Sequence, residues 1–290
     1  MERSIIQLAK STLVVSLPKK WLEKQDLHKG DKVQLEEKED RLTIRSKGKK
    51  NSSITINLKK GQVFTTRHVA DLYIRGYDEV IITFNDEPIV QKIMKEDLLG
   101  FEIVERSKNR VVIKNVADNI ETEFDSMLRR AFILVKEMGT MISKEKIDPA
   151  TLDELLSLED MVNKFTSFCK RVLNKQGYNP SYKTPFLYVF TKDLEVLGDI
   201  YKYMAKDITT YSKKELAFIY LANTYVEQLY ALFYTYNEEI VKEMRDTKNL
   251  LLSKGRKMVK EGSLVGHYGL ELVLVVTSMK GPIITMNFKQ

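Results

Sequence analysis

The sequence predicts a multidomain α+β protein, and two observations support this class: the length of the chain and a hydrophobic period that changes twice. A chain of 290 residues is long enough for two or three domains, because folding units typically contain about 100–150 residues. Apolar residues alternate with period two, then mix both periods, and finally follow the helical period. We therefore predict domains at residues 1–47, 53–116 and 117–285.

The first segment predicts a strand, a short helix and two further strands. Ser11–Leu17 is a β-branched apolar run, and Pro18 then opens a short helix in the first-turn position that suits proline. Residues 32–36 and 41–45 alternate apolar and polar side chains, with turns before and between them. A polar, basic linker over residues 46–53 follows.

The second segment alternates strand and helix patterns, which predicts a small α/β layer. Residues 53–58 and 79–84 have strand patterns, and the helix between them, at 65–75, ends at Gly76 as its C-cap. A second helix is predicted from Pro88 to about Gly100, and a hairpin over residues 101–116 completes the layer.

From residue 117 the strand patterns stop, and six long amphipathic helices with short joints predict a helical bundle. Proline and glycine mark several joints, for example Asp148-Pro149 and Gly262-Ser263. The last three helices resemble the first three at low similarity. The predicted helices cover residues 119–146, 150–177, 185–208, 213–236, 237–262 and 264–281.

Composition narrows the possible functions. The formal charge of +7 favours an anionic partner. Cys169 is the only cysteine, which excludes an intrachain disulfide and a thiolate cluster within one chain. No signal peptide or membrane-spanning segment is recognisable, so we expect a cytoplasmic protein without membrane insertion. No nucleophile, phosphate-binding loop or metalloprotease pattern stands out, and we do not expect an enzyme.

The first 46 residues resemble the AbrB/MazE-like swapped-hairpin superfamily, in which two chains interlace their strands into one barrel. The resemblance depends on the run Val14-Val15-Ser16-Leu17-Pro18-Lys19-Lys20-Trp21, on Leu27 with Gly30-Asp31, and on the strand residues Val33, Leu35 and Leu42-Thr43-Ile44. A sheet of about 45 residues is too small to build a core alone, so pairing of two chains is also the physical expectation.

That resemblance implies an N-terminal swapped-hairpin β-barrel that forms a homodimer and binds DNA. Basic residues of the first strand, the following loop and the helix contact DNA in the superfamily. The residues at those positions here are Arg3, Lys10, Lys19 and Lys20, with Ser11 and Thr12 as phosphate donors. The helix carries Leu22 and Glu23 where strong DNA binders of the superfamily often have paired arginines. The alternative is a barrel that only dimerises.

The helical segment contains a pair of carboxylates that could share a cation. Glu195 and Asp199 are four residues apart and therefore lie on one helix face. Two such charges repel each other when buried unless a cation or a base joins them. We predict a divalent or iron-type metal ion there, with Asp160 of a neighbouring helix as a further ligand.

The run Asp193-Leu194-Glu195-Val196-Leu197-Gly198-Asp199 resembles a signature of the PhoU family of phosphate-uptake regulators, whose members contain two three-helix bundles. In the apparent second repeat, His267 aligns with Glu195 and Glu271 with Asp199. A His and a Glu at this spacing could hold a transition metal, although such pairs are commonly only surface hydrogen bonds. The C-terminal fold expected from the resemblance is an all-α PhoU-like pair of three-helix bundles.

Two functions remain open. The first is a dimeric DNA-binding transcription regulator linked to phosphate uptake, with a helical domain that senses a metal, a phosphate signal or a partner. The second is a PhoU-type adaptor that docks on a phosphate transporter or signalling protein, with the barrel serving only to dimerise it.

Overall fold

The computed structural model describes residues 2–38, 41–46, 52–59, 62, 64–85, 98–117 and 120–288. The chain divides into two compact units, Met1–Ser52 and Ser53–Gln290. The expected α+β multidomain class is confirmed at this level, with small strand hairpins in the first unit and a mostly helical second unit. The predicted boundary at residues 116/117 lies inside the second unit and stays a prediction.

The N-terminal unit consists of two hairpins and a short helix. Strands β1 (Ile6–Ala9) and β2 (Thr12–Val14) pair antiparallel, with Ala9 opposite Thr12, so Lys10-Ser11 is a two-residue turn. Helix α1 spans Lys19–Gln25. Strands β3 (Val33–Lys38) and β4 (Arg41–Ser46) form the second antiparallel hairpin.

Two expectations for this unit need correction. The predicted strand Ser11–Leu17 is instead the short β2, which pairs with a strand at Ile6–Ala9 that the sequence patterns did not reveal. The expected barrel is not closed in the single chain, where the two hairpins belong to separate two-stranded sheets. Two strands cannot bury a core between them, so closure of a barrel requires strands from elsewhere.

The second unit begins with the predicted α/β layer. Strands β5 (Ser53–Asn57) and β6 (Glu79–Thr83) are parallel, and helix α2 (Thr66–Arg75) connects them. Strands β7 (Phe101–Ser107) and β8 (Arg110–Asn115) complete a four-stranded sheet of order β5-β6-β8-β7. Gly76 ends α2 with a φ of 99°, which confirms the predicted C-cap. The helix predicted after Pro88 lies outside the described residues.

The rest of the unit contains the six predicted long helices. They begin and end within a few residues of the predicted positions, with two exceptions. Helix α3 begins at residue 124 after a 3-10 turn and ends at residue 141, and α8 continues to residue 286, five residues beyond its predicted end. Their bounds are α3 Phe124–Met141, α4 Pro149–Gln176, α5 Lys183–Asp207, α6 Lys213–Tyr234, α7 Glu238–Lys260 and α8 Leu264–Met286.

The six helices form two consecutive three-helix bundles. Within each bundle every helix packs against the other two, and the bundles join through α5 against α8 and α3 against α6. The first helices of the two bundles, α3 and α6, therefore contact each other, and so do the third helices, α5 and α8. Two copies related by a two-fold rotation would produce this arrangement. One continuous hydrophobic core fills both bundles.

Among the described residues, helix α8 is long and apolar enough to cross a membrane by length and composition. It also packs against α5, α6 and α7. Its residues Leu272, Val276 and Met279 are fully buried in that packing. A central helix of a bundle has this composition because it is covered on several sides.

Candidate nucleic-acid interface

The six residues expected to contact DNA are all exposed, and they lie on three segments of the N-terminal unit. Arg3 precedes β1. Lys10 and Ser11 form the tip of the β1–β2 hairpin, where the Gln7 side chain donates to the Lys10 carbonyl oxygen at 3.4 Å, and Thr12 begins β2. Lys19 and Lys20 form the first turn of α1.

The cations of this surface have few internal partners. Lys19 lies 3.8 Å from Glu23, but both side chains are mostly exposed, and such a pair contributes little to stability. No ion pair involves Arg3, Lys10 or Lys20 among the residues that the structure describes. Their charges are therefore available to an external anion.

The same unit exposes seven of its large apolar side chains and leaves the others only half-buried. Leu8 is 73% exposed and Leu13 67% exposed, and no side chain described between residues 2 and 46 is buried. Such a surface is unusual for a folded unit that stays alone in water. The exposed apolar residues are Ile5, Ile6, Leu8, Leu13, Val15, Leu35 and Leu42.

In the helical body, the candidate metal ligand Glu195 is already neutralised by lysine. Lys170 on α4 donates to its Oε2 atom at 2.5 Å, and both side chains are buried. Lys192, one turn earlier on α5, lies 3.3 Å from Oε1. Burial alone would raise the pKa of Glu195, but the two ammonium groups outweigh it and hold the pKa below its usual value. Glu195 is therefore a carboxylate at neutral pH.

Asp199 is neutralised in the same way. Lys202 lies 2.5 Å from Asp199 Oδ1 and 2.9 Å from Oε1 of Glu159 on α4. Asn163 donates to the same Glu159 oxygen at 2.6 Å. Burial would lower the pKa of Lys202, but its two carboxylate partners raise it, so the amine remains charged.

These contacts do not fit a metal ion at Glu195 and Asp199, because ammonium groups occupy the positions that a cation would take. No group of three or more His, Cys, Asp or Glu side chains with metal-binding geometry occurs within the described part of the chain. Asp160 is exposed on α4. The expected metal stays a prediction, and the geometry favours lysine-neutralised carboxylates instead.

The second candidate pair, His267 and Glu271, is a surface contact. Their side chains lie 3.4 Å apart and are 57% and 46% exposed. One imidazole and one carboxylate supply two ligands, whereas a protein zinc site uses three or four. The pair has the spacing of an i, i+4 side-chain contact on a helix surface.

The sequence patterns did not reveal the lysines that neutralise these carboxylates. Lys170 follows the buried Cys169 and precedes Arg171 and the buried Val172. A cation at a position of an amphipathic helix that faces the core is the signal that could have identified Lys170, because a buried charge requires a partner. Cys169 itself is fully buried, and burial raises the pKa of its thiol, which fits the expected inert role.

A second buried cation, Arg171, joins the α/β layer to the helical body. Its guanidinium donates to Oδ1 of Asp78 at 2.6 Å and to the carbonyl oxygens of Tyr73 and Tyr77 at 2.8 and 2.7 Å. The guanidinium also lies over the Tyr73 ring. Lys175, one turn further along α4, donates to the same Asp78 oxygen at 2.6 Å. The end of α2 is thus fixed on α4 by charge-assisted hydrogen bonds.

Comparison with known protein families supports one part of the chain. Residues 6–52 match the family model described as "Antidote-toxin recognition MazE, bacterial antitoxin". No curated protein and no solved structure matches the chain. The match covers β1 to β4 and ends where the first compact unit ends. Residues 6–52 of the N-terminal unit are therefore similar to the MazE antitoxin family, in agreement with the AbrB/MazE-like resemblance of the sequence.

Proposed function

We propose that this protein is a dimeric DNA-binding transcription regulator linked to phosphate homeostasis. The N-terminal units of two chains form the DNA-binding head, and the helical body responds to a phosphate signal or to a partner protein.

The exposed apolar surface of the N-terminal unit is the observation that carries this proposal. Burying one valine, leucine or isoleucine side chain contributes about 1.5–3 kcal/mol. Seven such side chains are exposed in a unit of 52 residues. A second copy of the same unit covers them with equally apolar residues. This supports the interlaced dimer that the AbrB/MazE-like match implies.

Dimerisation also concentrates the positive charge. Arg3, Lys10, Lys19 and Lys20 give four exposed cations in each chain, so a dimer presents eight. Each phosphate that these cations neutralise releases counterions from the duplex and strengthens binding. The basic residues at the β1–β2 tip and on α1 therefore favour DNA as the partner of the head.

The proposed link to phosphate homeostasis depends on the helical body. Two tandem three-helix bundles that pack first helix against first and third against third are consistent with a PhoU-like body. Glu195 and Asp199, which resemble the signature of that family, lie on the third helix of the first bundle. Because lysines neutralise both carboxylates, the proposed signal is not routed through a metal.

A salt series on DNA binding tests the head. The full-length protein should lose affinity steeply as salt rises. Arg3→Gln with Lys10→Gln should lower the slope of log affinity against log salt by about 0.9 for each phosphate no longer neutralised, or about 3.6 for a dimer. Lys29→Gln with Lys32→Gln removes the same charge from exposed positions outside the proposed set and is the control. Equal slopes for the two variants would remove these residues from DNA contact.

A second experiment separates the regulator from the adaptor. Leu8→Glu places a charge on the exposed apolar surface and should convert the dimer to monomer in light scattering, whereas the control Gln7→Glu on the same strand should not. A wild-type dimer that binds no DNA at low salt would favour the adaptor, in which the barrel only dimerises. A wild-type monomer would refute the proposed head.

A further inference from the structure

Helix α7 carries a concentration of positive charge that the proposed function does not use. Between residues 247 and 260 it contains five cations and no carboxylate, which are Lys248, Lys254, Arg256, Lys257 and Lys260. All except the half-buried Lys248 are exposed. The helix dipole favours cations in the last turn, which accounts for Lys257 and Lys260 but not for the others.

These cations do not take part in the internal ion pairs of the body. Lys170, Arg171 and Lys202 each bind a carboxylate of a neighbouring element. By contrast, no ion pair joins Arg245 or the five cations of residues 247–260 to a carboxylate in the part of the chain that the structure describes. Their charges are therefore available to an external anion.

The exposed line along α7 is entirely polar. Arg245, Asn249, Ser253, Arg256 and Lys260 follow one another at intervals of three or four residues, so they lie on one side of the helix, and all five are exposed. The line is about 23 Å long at a rise of 1.5 Å per residue. Amide and hydroxyl groups, like Arg and Lys, are common donors to phosphate oxygens.

A cation of α8 extends this line on one side. Lys280 is half-buried. Burial lowers its pKa, and so do the neighbouring charges of Lys248 and Arg245. Three positive groups thus lie near one another, and the described residues form no ion pair with them, although the exposed Asp246 follows Arg245 on the same helix. Such an arrangement raises the local positive potential and favours an anion that contacts several of them at once.

We infer that this surface, made of Arg245, Asn249, Ser253, Arg256 and Lys260 with Lys248 and Lys280 beside them, binds the phosphate backbone of duplex DNA. We call it the α7 basic surface. A membrane-binding helix would carry large apolar side chains between its cations on the same side, whereas here an amide and a hydroxyl occupy the line itself. The exposed Leu250 and Val259 lie beside that line. The contact carries no sequence information, because its partners are phosphates. It supplies affinity from the helical body in addition to any from the head.

The test uses full-length protein and a non-specific 40-base-pair duplex in a salt series measured by fluorescence anisotropy. The variant Arg245→Gln/Lys248→Gln/Lys260→Gln should lower the slope of log affinity against log salt by about 0.9 for each phosphate that is no longer neutralised, up to about 2.7 per chain. Arg130→Gln/Lys206→Gln/Lys213→Gln removes the same charge from exposed positions elsewhere on the body and is the matched control. Identical slopes for these two variants would overturn the inference.

Two further arms separate this inference from the proposed function. The inferred DNA contact of the α7 basic surface extends the proposed function but depends on different residues. Arg3→Gln/Lys10→Gln should therefore lower the affinity for DNA independently of the α7 variant. If only the head variant binds DNA more weakly, the proposed function stands and the α7 basic surface is refuted. If only the α7 variant binds DNA more weakly, the α7 basic surface stands and the proposed DNA-binding head is refuted. If the α7 variant keeps DNA binding but no longer sediments with vesicles containing anionic lipid, the surface binds a membrane and the inference is wrong.

Discussion

The buried guanidinium of Arg171 offers the sharpest test of how the second unit is held together. Arg171→Met retains much of the side-chain volume beside Tyr73 and Phe101, over whose rings the guanidinium lies, but removes the charge and three hydrogen bonds. Removing one partner of a buried ion pair typically costs about 3–5 kcal/mol. The end of α2 would then lose its main polar connection to α4.

The remaining hydrogen bonds set the size of this effect. The Tyr73 carbonyl oxygen still accepts from the Gly76 amide at 2.9 Å, and Asp78 keeps Lys175 at 2.6 Å. The Tyr77 carbonyl oxygen no longer has the guanidinium as a donor. We therefore expect a decrease of about 4 kcal/mol in the free energy of unfolding. For a unit of this size the melting temperature should fall by about 8–16 °C.

Lys175→Met is the matched control, because it removes the other cation from the same Asp78 oxygen. Its side chain is more exposed than that of Arg171, so we expect a decrease of about 1 kcal/mol. Thermal denaturation followed by circular dichroism measures both decreases, and hydrogen exchange of the α2 amides locates them. Equal decreases in the two variants, or unchanged exchange at α2 in Arg171→Met, would refute the reasoning.

Two further predictions concern the helical body. Gly269→Ala should destabilise it by about 1–3 kcal/mol, because an added Cβ would lie 2.2 Å from the Phe218 ring; Gly281→Ala, with nothing within 4 Å, should be neutral or slightly stabilising in chemical denaturation. A large destabilisation in Gly281→Ala would contradict the packing described. Lys170→Met should destabilise the body at pH 7 by about 3 kcal/mol. Because the Lys170 pair holds the pKa of Glu195 below its usual value, its contribution is complete above that usual value and is lost as pH falls through the lowered pKa. The difference from wild type should therefore stay constant from pH 7 down to about pH 4.5, the usual value, and shrink as the pH falls further. A difference that stays constant below pH 4.5 as well would argue against the pair.

Helix positions in the body follow directly from the sequence, because each long helix buries one face and its apolar residues repeat with the helical period. The α/β layer was predictable for a similar reason, since Gly76 marks the end of α2 and strand patterns precede and follow that helix. The N-terminal unit was less well predicted. Strand β1 (Ile6–Ala9) was missed, because its apolar residues do not alternate clearly with polar ones.

The candidate sites depended more strongly on tertiary structure. The spacing of Glu195 and Asp199 placed both carboxylates on one helix face, and the structure agrees with that geometry. Their partners Lys170 and Lys202 are 25 and 3 residues from Glu195 and Asp199, respectively. The bridge from Lys202 to Glu159 spans 43 residues. No pattern along one helix indicates which charge of another helix will meet it.

The sequence by itself determined the long helices, the strands and first helix of the described α/β layer, the basic character of the head and the helix face of the carboxylate pair, because these depend on neighbours within a few residues. Only the tertiary structure showed that lysines neutralise the two carboxylates, that Arg171 fixes α2 on α4, and that no ion pair joins Arg245 or the cations of residues 247–260 to a carboxylate in the described chain. The physical reason is that the energy of a charge depends on burial and on the distance to the opposite charge. Both quantities are fixed by the packing of segments that are distant in sequence.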